Sequence, residues 1–164
     1  MNILDGHQLI DEWGVDYFKK CSTFGALSDK AIDFLCNGGR IVSLADGEAL
    51  FHTGDTADGF YVLLKGQLDC FREEDHEQVP ILTVGVGEQI GYVSMIGLFP
   101  RLGDGDAHGP TVLLHVTSEL FYQLHLEYPF DFGILMLNLS REMARAFRKV
   151  TDELVGASAG HSVV

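Results

Sequence analysis

Cysteine, basic residues and long apolar runs are all scarce in this chain, and each shortage excludes a class of protein. The three cysteines, Cys21, Cys36 and Cys70, lie far apart and form no Cys-x-x-Cys pair. A disulfide framework and a zinc or iron–sulfur site are therefore not expected. No stretch approaches the roughly 20 apolar residues that a membrane-spanning helix requires, and the acidic N-terminus does not resemble a secretory signal peptide. The sequence predicts a cytoplasmic protein with reduced thiols and no membrane segment.

The shortage of basic residues bears on the partners that this chain can have. Lysine and arginine together number 11 against 24 acidic residues, which gives a formal charge of −13. A surface of that sign repels the phosphate backbone, whose neutralisation supplies much of the affinity of DNA-binding proteins. The sequence therefore predicts no DNA binding by this chain alone.

Glycine, in contrast, is plentiful, and it separates short segments in which apolar residues alternate. Ser28 and Asp29 predict the start of a helix, which the pair Gly38 and Gly39 ends. From Arg40 onward the apolar period is two, which is typical of strands. The predicted strands are 41–44, 49–52, 60–65, 67–72, 81–84, 111–116 and 120–126. This pattern in 164 residues predicts one domain with a mainly β fold and flanking α-helices, an antiparallel β-roll or jelly roll.

The C-terminal part of the chain returns to a helical period. Asp131 predicts the cap of a helix over about residues 132–155, which Gly156 is expected to end. About 24 residues at 1.5 Å each give a helix of roughly 36 Å, longer than a small roll needs for cover. Its apolar residues recur every three or four positions, at Met136, Leu139, Met143, Ala146, Val150 and Leu154. This seam predicts a homodimer that forms through the long helix.

Residues 85–112 interrupt the strand pattern, and they are the default ligand site. The segment contains a Gly-Glu turn, a short apolar run over 90–99, the pair Pro100 and Arg101, and a loop rich in glycine and aspartate. A helical turn that begins just after a glycine exposes backbone N–H groups that can bind an anion. A packed β-fold interrupts its strands where another group satisfies the backbone, so a ligand is expected here.

A family resemblance rests first on residues 47–68, GEALFHTGDTADGFYVLLKGQL. They resemble the cyclic nucleotide-binding domain family, which includes the sensor domains of Crp/Fnr-type regulators and the regulatory domains of cyclic-nucleotide-dependent kinases. The resemblance covers about residues 24–155, including LSREMAR at 139–145. It implies a roll of about eight strands, a phosphate-binding cassette at about 87–111 and a long C-terminal dimerisation helix. The chain would then divide into an N-terminal helical segment (1–23), the domain (24–155) and a flexible tail (156–164).

The cassette of that family supplies the candidate ligand-binding residues. Residues 87–91 match its opening, but Tyr92 stands where the family has the glutamate that binds the ribose hydroxyl. The phosphate-binding arginine has two candidates, because a Gly/Asp-rich insertion separates Arg101, counted forward from Tyr92, from His108, counted back from Thr111. The full set that the resemblance implies is Gly91, Tyr92, Val93, Ser94, Arg101, His108, Thr111 and, on the long helix, Thr151.

These residues predict a non-catalytic regulatory domain for ligand sensing. Because tyrosine is neutral and bulkier than glutamate, its nucleotide binding is expected to be weak, altered or lost. The candidate ligands are cyclic AMP, cyclic GMP or another small anion, and no cofactor is certain. Enzyme activity is not predicted, because no nucleophile–base pair or metal cluster has a recognisable spacing. About nine residues follow the long helix, too few for a helix-turn-helix, so a partner protein is expected to carry the output.

Two other classes of protein stay open. A degenerate dimerisation or scaffold module would keep the fold and lose the ligand. A metal- or haem-dependent cupin-like barrel would use histidines on strands, here His52, His115 and His125. The His-x-His pair expected of such a metal barrel is missing, which disfavours the second alternative.

Overall fold

The structure, a computed structural model, describes residues 2–4 and 13–160, and within them the strands form one antiparallel sheet. Its seven strands follow the order β1-β2-β7-β4-β5, while β3 also pairs with β7 and β6 also pairs with β4. The central pair is formed by the two longest strands, β4 and β7. The strands are β1 (Asn2–Leu4), β2 (Arg40–Leu44), β3 (Ala49–Phe51), β4 (Gly59–Glu74), β5 (Glu77–Val84), β6 (Gln89–Ile90) and β7 (Asp104–Thr117).

The described part of the chain contains five α-helices with defined bounds, which flank this sheet. They are α1 (Val15–Lys19), α2 (Asp29–Gly38), α3 (Tyr92–Gly97), α4 (Ser118–Glu127) and α5 (Pro129–Gly160). The predicted mainly β roll with flanking helices and a long C-terminal helix is confirmed, with seven described strands where the sequence predicted about eight. The predicted start of α2 is also confirmed, because Ser28 accepts a hydrogen bond from the N–H of Ala31 at 3.3 Å.

Two predicted strands turn out to be one. The segments 60–65 and 67–72 are both part of β4, and Gly66 lies inside this strand instead of in a turn. The register against β7 shifts on both sides of Lys65, so the ladder bulges here. Gly66 has a φ of 88°, and a Cβ at this position would lie 2.5 Å from Oγ1 of Thr111. A glycine bulge therefore explains why a turn was predicted inside a continuous strand.

The strand predicted over 120–126 is wrong, because this segment is part of helix α4. Thr117 caps the helix by accepting a hydrogen bond from the N–H of Leu120 at 3.2 Å. Leu120 and Leu124, four residues apart, are both buried, which is the helical period and not the strand period. Thr117, a residue type favoured at helix N-caps, was the local signal for a helix here, although the alternation of apolar residues suggested a strand.

The loop expected before residue 111 is a strand as well. Strand β7 begins at Asp104 and runs without interruption to Thr117. In this part of β7, Asp104 pairs with Phe71 and His108 with Gln67, both on β4. The Gly/Asp-rich segment is therefore not an inserted loop, because its backbone groups enter the central ladder of the sheet.

Helix α5 also differs from its prediction at both ends. It begins at Pro129, so Asp131 lies in its first turn, where its carboxylate accepts hydrogen bonds from the N–H and hydroxyl of Ser28 at 2.6 and 3.0 Å. It continues through Gly156 to Gly160, since a glycine inside a helix weakens it without ending it. Part of the predicted N-terminal segment and the end of the predicted tail, residues 5–12 and 161–164, lie outside the described residues.

Strand β4 separates two hydrophobic clusters. One face of it carries Phe60, Val62 and Leu64, which pack against the helices, and the other carries Tyr61 and Leu63, which face the inside of the roll. The helical cluster also contains Phe18, Phe24, Ile32, Leu35, Tyr92, Met95, Leu135 and Leu139. Such a strand reads as a continuous apolar run because both of its faces are buried.

No helix in the described part of the chain is long and apolar enough to cross a membrane.

The inner cluster supplies a stability prediction. Leu63 is completely buried there, so Leu63→Ala leaves a cavity and is expected to lower the free energy of unfolding by about 2–5 kcal/mol. Urea denaturation with linear extrapolation measures the change. The control is Leu126→Ala on α4, where the side chain is exposed. Equal losses for the two variants would contradict the assignment of Leu63 to a tightly packed core.

Candidate functional site

A cavity of about 440 Å³ lies between the open side of the roll and helix α5. This volume is within the range of small-molecule sites in proteins. Three stretches of the chain form most of its walls, namely β5, the segment from the turn before β6 into α3, and residues 101–104, and Phe51 and Cys70 add to them. The fourth wall is one face of α5, with Glu142, Arg145, Ala146 and Lys149.

Five of the predicted site residues line this cavity. They are Gly91, Tyr92, Val93, Ser94 and Arg101. The first four stay together because the chain turns sharply from β6 into α3 at Gly91, whose φ is 84°. Arg101 joins them because α3 spans only six residues and the chain then returns toward β7.

The other three predicted residues lie away from the cavity lining. His108 is exposed on β7, with Nδ1 3.1 Å from the Asp69 carboxylate. Thr111 is fully buried and donates its hydroxyl to the carbonyl oxygen of Gln67 at 3.0 Å. Thr151 is exposed on α5. The structure thus places Arg101, and not His108, beside the cassette, while ligand binding by any of these residues stays a prediction.

The guanidinium of Arg101 is bound to the protein itself. The side chain is only 3% exposed. Nη1 donates to the carbonyl oxygen of Gly91 and Nη2 to that of Gly59, each at 2.9 Å. The guanidinium carbon lies 5.0 Å from the ring centre of Phe51 and 5.6 Å from that of Tyr61, so the cation also gains from two aromatic faces. Arg101 therefore ties the start of the cassette to the start of β4.

Two neighbours complete the surroundings of this cation. A Cβ at Gly91 would collide with Nη1 of Arg101, so only glycine permits this approach. The carboxylate of Asp58 lies 3.8 Å from Nη2 and supplies a partial counter-charge from a more exposed position. Nε of Arg101 is buried and has no hydrogen-bond partner among the described residues. It is the one guanidinium nitrogen left for another acceptor.

Tyr92 is held in place by its neighbours and is not free to move toward a ligand. It is 6% exposed and belongs to the helical cluster together with Met95. The neighbouring Gln89 is itself held in place, because its amide oxygen accepts the hydroxyl of Thr23 at 2.6 Å. Burial raises the pKa of Tyr92, and the carboxylate of Glu142 raises it further. The phenol is therefore neutral where the family has a charged carboxylate.

The residues of α5 in the cavity wall were not predicted as site residues. Glu142, Arg145, Ala146 and Lys149 follow the spacing i, i+3, i+4, i+7 and so share one helical face. Glu142 and Arg145 form an ion pair, and Nζ of Lys149 is 3.9 Å from the Glu153 carboxylate. From the sequence alone, the basic residues of this helix, Arg145 and Lys149 among them, are interpreted as a solvated face and not as part of a site. The i, i+3, i+4, i+7 spacing of these four residues was the sequence pattern that could have shown that they share one face.

The three histidines of the cupin alternative lie apart. His52 is exposed beside Asp104, His125 is exposed on α4, and His115 is buried on β7. Within the described residues, no three histidine, cysteine, aspartate or glutamate side chains are grouped as ligands for one metal ion.

His115 is a buried ionisable group next to the site. Its ring stacks on Tyr61 with 4.4 Å between the ring centres. Nε2 lies 3.5 Å from the carboxylate of Asp58 but has no hydrogen bond within the described residues. Burial lowers the pKa of His115, and Arg40 and Arg101 lower it further, although Asp58 acts in the opposite direction. The imidazole is therefore neutral at pH 7.

The architecture is an antiparallel roll with a short helical cassette and a long helix beside a cavity. The family model for the cyclic nucleotide-binding domain matches residues 41–128, more than half of the chain. The chain therefore belongs to the cyclic nucleotide-binding domain family, as its sequence predicted.

Known proteins of similar fold and sequence agree with this assignment. A cyclic nucleotide-binding domain from Methylobacillus flagellatus superposes with a TM-score of 0.80 and 24% identity, covering 95% of this chain and 88% of that one. The catabolite activator protein of Thermus thermophilus gives a TM-score of 0.73 and 23% identity, covering 84% and 63%. Both likenesses concern the fold.

A curated relative is the lysophospholipase NTE1 of Pyricularia oryzae. It is 29% identical to this chain over 108 residues, or 65% of the chain. The matched region is only 7% of the length of that protein. The likeness therefore concerns one small segment of a much larger protein.

The buried histidine generates a prediction about pH. Because the folded state lowers the pKa of His115, the unfolded state binds the proton first as the pH falls through about 6.5. The free energy of unfolding should then decrease on acidification, by up to about 1.4 kcal/mol per pH unit for this one group. Urea denaturation between pH 7.5 and 5.5 measures the slope. His115→Phe, which keeps a ring against Tyr61, should reduce it.

The control for this experiment is His125→Gln, since His125 is exposed on α4. It should leave the pH slope of the wild type unchanged. Identical slopes for His115→Phe and the wild type would show that another group carries the pH dependence.

Proposed function

We propose that this chain is a non-catalytic regulatory domain that senses a small ligand in the cavity beside α5. The observation that carries the proposal is that the cassette and α5 line one cavity, through Tyr92 and Arg101 on one side and Glu142 and Arg145 on the other. A ligand there touches both elements at once. Its binding free energy can then shift the position of the helix, provided that the two positions differ in their contacts with the ligand.

The response to cyclic AMP and cyclic GMP is expected to be weak or altered. The position that binds a ribose hydroxyl in the family holds the neutral, buried phenol of Tyr92. Loss of a hydrogen bond to a charged acceptor costs about 1.5–3 kcal/mol, which is roughly 10- to 100-fold in affinity. Arg101 is also already bound to two carbonyl oxygens, which a phosphate would have to displace.

The long helix is the proposed route of output and of self-association. Leu139 of the predicted seam is buried within the domain, so only the later part of the seam is open to a partner. Val150 and Leu154 of the seam are exposed, and so is Phe147, which was not part of the predicted seam and is 74% exposed. The step of three residues from Phe147 to Val150 and the step of four from Val150 to Leu154 place these side chains on one side of α5. Such a stripe supports a homodimer through α5, with a partner protein or attached domain as the receiver of the signal.

The likeness to a lysophospholipase does not extend to an activity of this chain. The matched segment is a small part of that enzyme, and the proposal assigns this chain no bond-breaking step. DNA binding is not part of the proposal either, because the formal charge is −13. A cytoplasmic location stays a prediction from the sequence.

The nucleotide part of the proposal is tested at Tyr92. Wild-type protein should bind cyclic AMP and cyclic GMP weakly or not at all in calorimetric titration. Tyr92→Glu should raise the affinity, by up to roughly 100-fold if the new carboxylate accepts the ribose hydroxyl. The matched control is Tyr92→Gln, because glutamine is the same size as glutamate but carries no charge. Micromolar binding by the wild type, or equal affinities of the Glu and Gln variants, would contradict the role given to Tyr92.

The self-association part is tested at Phe147. Light scattering at micromolar concentration should give about twice the chain mass of 18.1 kDa. Phe147→Glu puts a charge into the exposed stripe and should give the monomer mass, because a charge at the centre of an apolar interface is costly. Arg148→Glu is the control, because Arg148 is exposed and lies on the side of α5 away from Val150 and Leu154. A monomeric wild type, or a dimer that survives Phe147→Glu, would exclude this interface.

A further inference from the structure

We propose that the cavity binds an amphipathic anion, a molecule with one acidic group on an extended apolar body, such as a medium-chain carboxylate. This inference rests on the proposed function only in taking the same cavity as the ligand site. Three features of the cavity lead to it: an apolar wall that is open to water, a deep end whose polar groups are already bonded, and two cations at the α5 side.

The apolar wall is formed mainly by β5 and residue 102. Ile81 is 48% exposed and Leu82 is 40% exposed, although both line the cavity, and Leu102 is exposed as well. Val84 on the same strand continues this surface inward. Large apolar side chains that remain wet inside a concave site favour a ligand whose apolar surface removes them from water.

The facing side adds more apolar surface. Phe51, Val93 and Ala146 line the cavity from β3, α3 and α5. Cys70 also lines it, and burial raises the pKa of its thiol to about 12, so the thiol is neutral. An apolar chain that enters between β5 and residues 101–104 therefore meets nonpolar groups on both sides.

The deep end has little hydrogen-bonding capacity left for a sugar. Tyr92 is buried, the amide oxygen of the neighbouring Gln89 already accepts the hydroxyl of Thr23, and both Nη atoms of Arg101 are bonded to carbonyl oxygens. The exception is Nε of Arg101. A ligand with several hydroxyl groups would leave them unpaired here, which costs binding free energy. An apolar body has no such cost.

The charges around the cavity fit one anionic group. Its lining contains three cations and three acids: Arg101, Arg145 and Lys149 against Glu88, Asp104 and Glu142. This balance disfavours a ligand with several negative charges. Arg145 and Lys149 lie one turn apart on the cavity face of α5 and are mostly exposed. Their intrahelical ion pairs with Glu142 and Glu153 are weak at such exposure, so an acidic group can compete for both cations.

The test is a calorimetric titration with dodecanoate, dodecanol and cyclic AMP, each below the concentration at which it aggregates. Dodecanoate should saturate with one molecule per chain. Ala146→Trp fills the cavity from an exposed helical position and should abolish this binding. Ala144→Trp, two residues earlier and outside the lining, should leave it unchanged. Because both alanines are exposed on α5, neither variant removes a core side chain.

Two further variants test the apolar wall and the cations separately. Leu82→Asp should weaken dodecanoate at least about tenfold, whereas Val79→Asp on the same strand, 48% exposed and outside the lining, should not. The double variant Arg145→Gln with Lys149→Gln should lower the affinity for dodecanoate to that for dodecanol. Arg148→Gln is its control outside the cavity face.

The outcomes distinguish this inference from the proposed function. Dodecanoate binding that ignores Ala146→Trp and Leu82→Asp is adsorption elsewhere and overturns the inference. The same holds if dodecanol binds the wild type as tightly as dodecanoate. Cyclic AMP binding that Ala146→Trp abolishes, with no dodecanoate binding, overturns the ligand class and leaves the proposed function standing. Dodecanoate binding in the cavity without any change in the hydrogen exchange of α5 supports the ligand class and contradicts the regulatory role.

Discussion

The buried guanidinium of Arg101 is the constraint on which the site depends. A charge at 3% exposure is costly unless its donors are bonded and its charge is balanced. Here the carbonyl oxygens of Gly91 and Gly59 accept its Nη donors, and the rings of Phe51 and Tyr61 face its plane. These contacts require Gly91 to lack a Cβ. The entrance to α3 and the start of β4 are thereby held at a fixed separation.

Because β4 is buried on both faces, the constraint set by Arg101 also reaches the helices that pack against this strand. Tyr61 contacts Arg101 from the inner face of the strand, while the neighbouring Phe60 packs into the helical cluster on the other face. Tyr92, one residue after Gly91, belongs to that same helical cluster. The cassette is consequently fixed from the roll side by Arg101 and from the helix side by Tyr92. Neither anchor needs a ligand.

The sequence predicted the parts of the fold whose signals are local. The Ser28 cap and the end of α2 at Gly38 were read correctly because capping depends on neighbouring residues. Helix α4 was read as a strand because its apolar residues also fit an alternation over a short window. Gly66 gave a turn signal, but its positive φ serves a bulge in β4, which only the pairing with β7 reveals.

For the candidate site too, local features could be predicted from the sequence and long-range contacts could not. The position of the cassette followed from its glycines and from the family resemblance, and Gly91 and Tyr92 line the cavity, although their binding of a ligand stays a prediction. The bonding of Arg101 depends on three segments that are distant in sequence, and no local pattern contains it. Glu142 and Lys149 were missed because charged residues on a helix are usually solvated. Their place in the cavity wall follows from where α5 lies against the roll.

The arrangement also determines how a ligand can act on the helix. Because the cassette is already anchored at Arg101 and Tyr92, binding has little cassette disorder to remove. The exposed part of α5 is different, since its described side chains beyond Met143 are exposed and outside the helical cluster, while Ala146 and Lys149 form the face that lines the cavity. A ligand in the cavity adds contacts to that face, at Ala146 and Lys149, and to no other side of the helix. In the proposed function, the coupling depends on contacts between the ligand and α5, so a change in the apolar surface of the ligand should alter it.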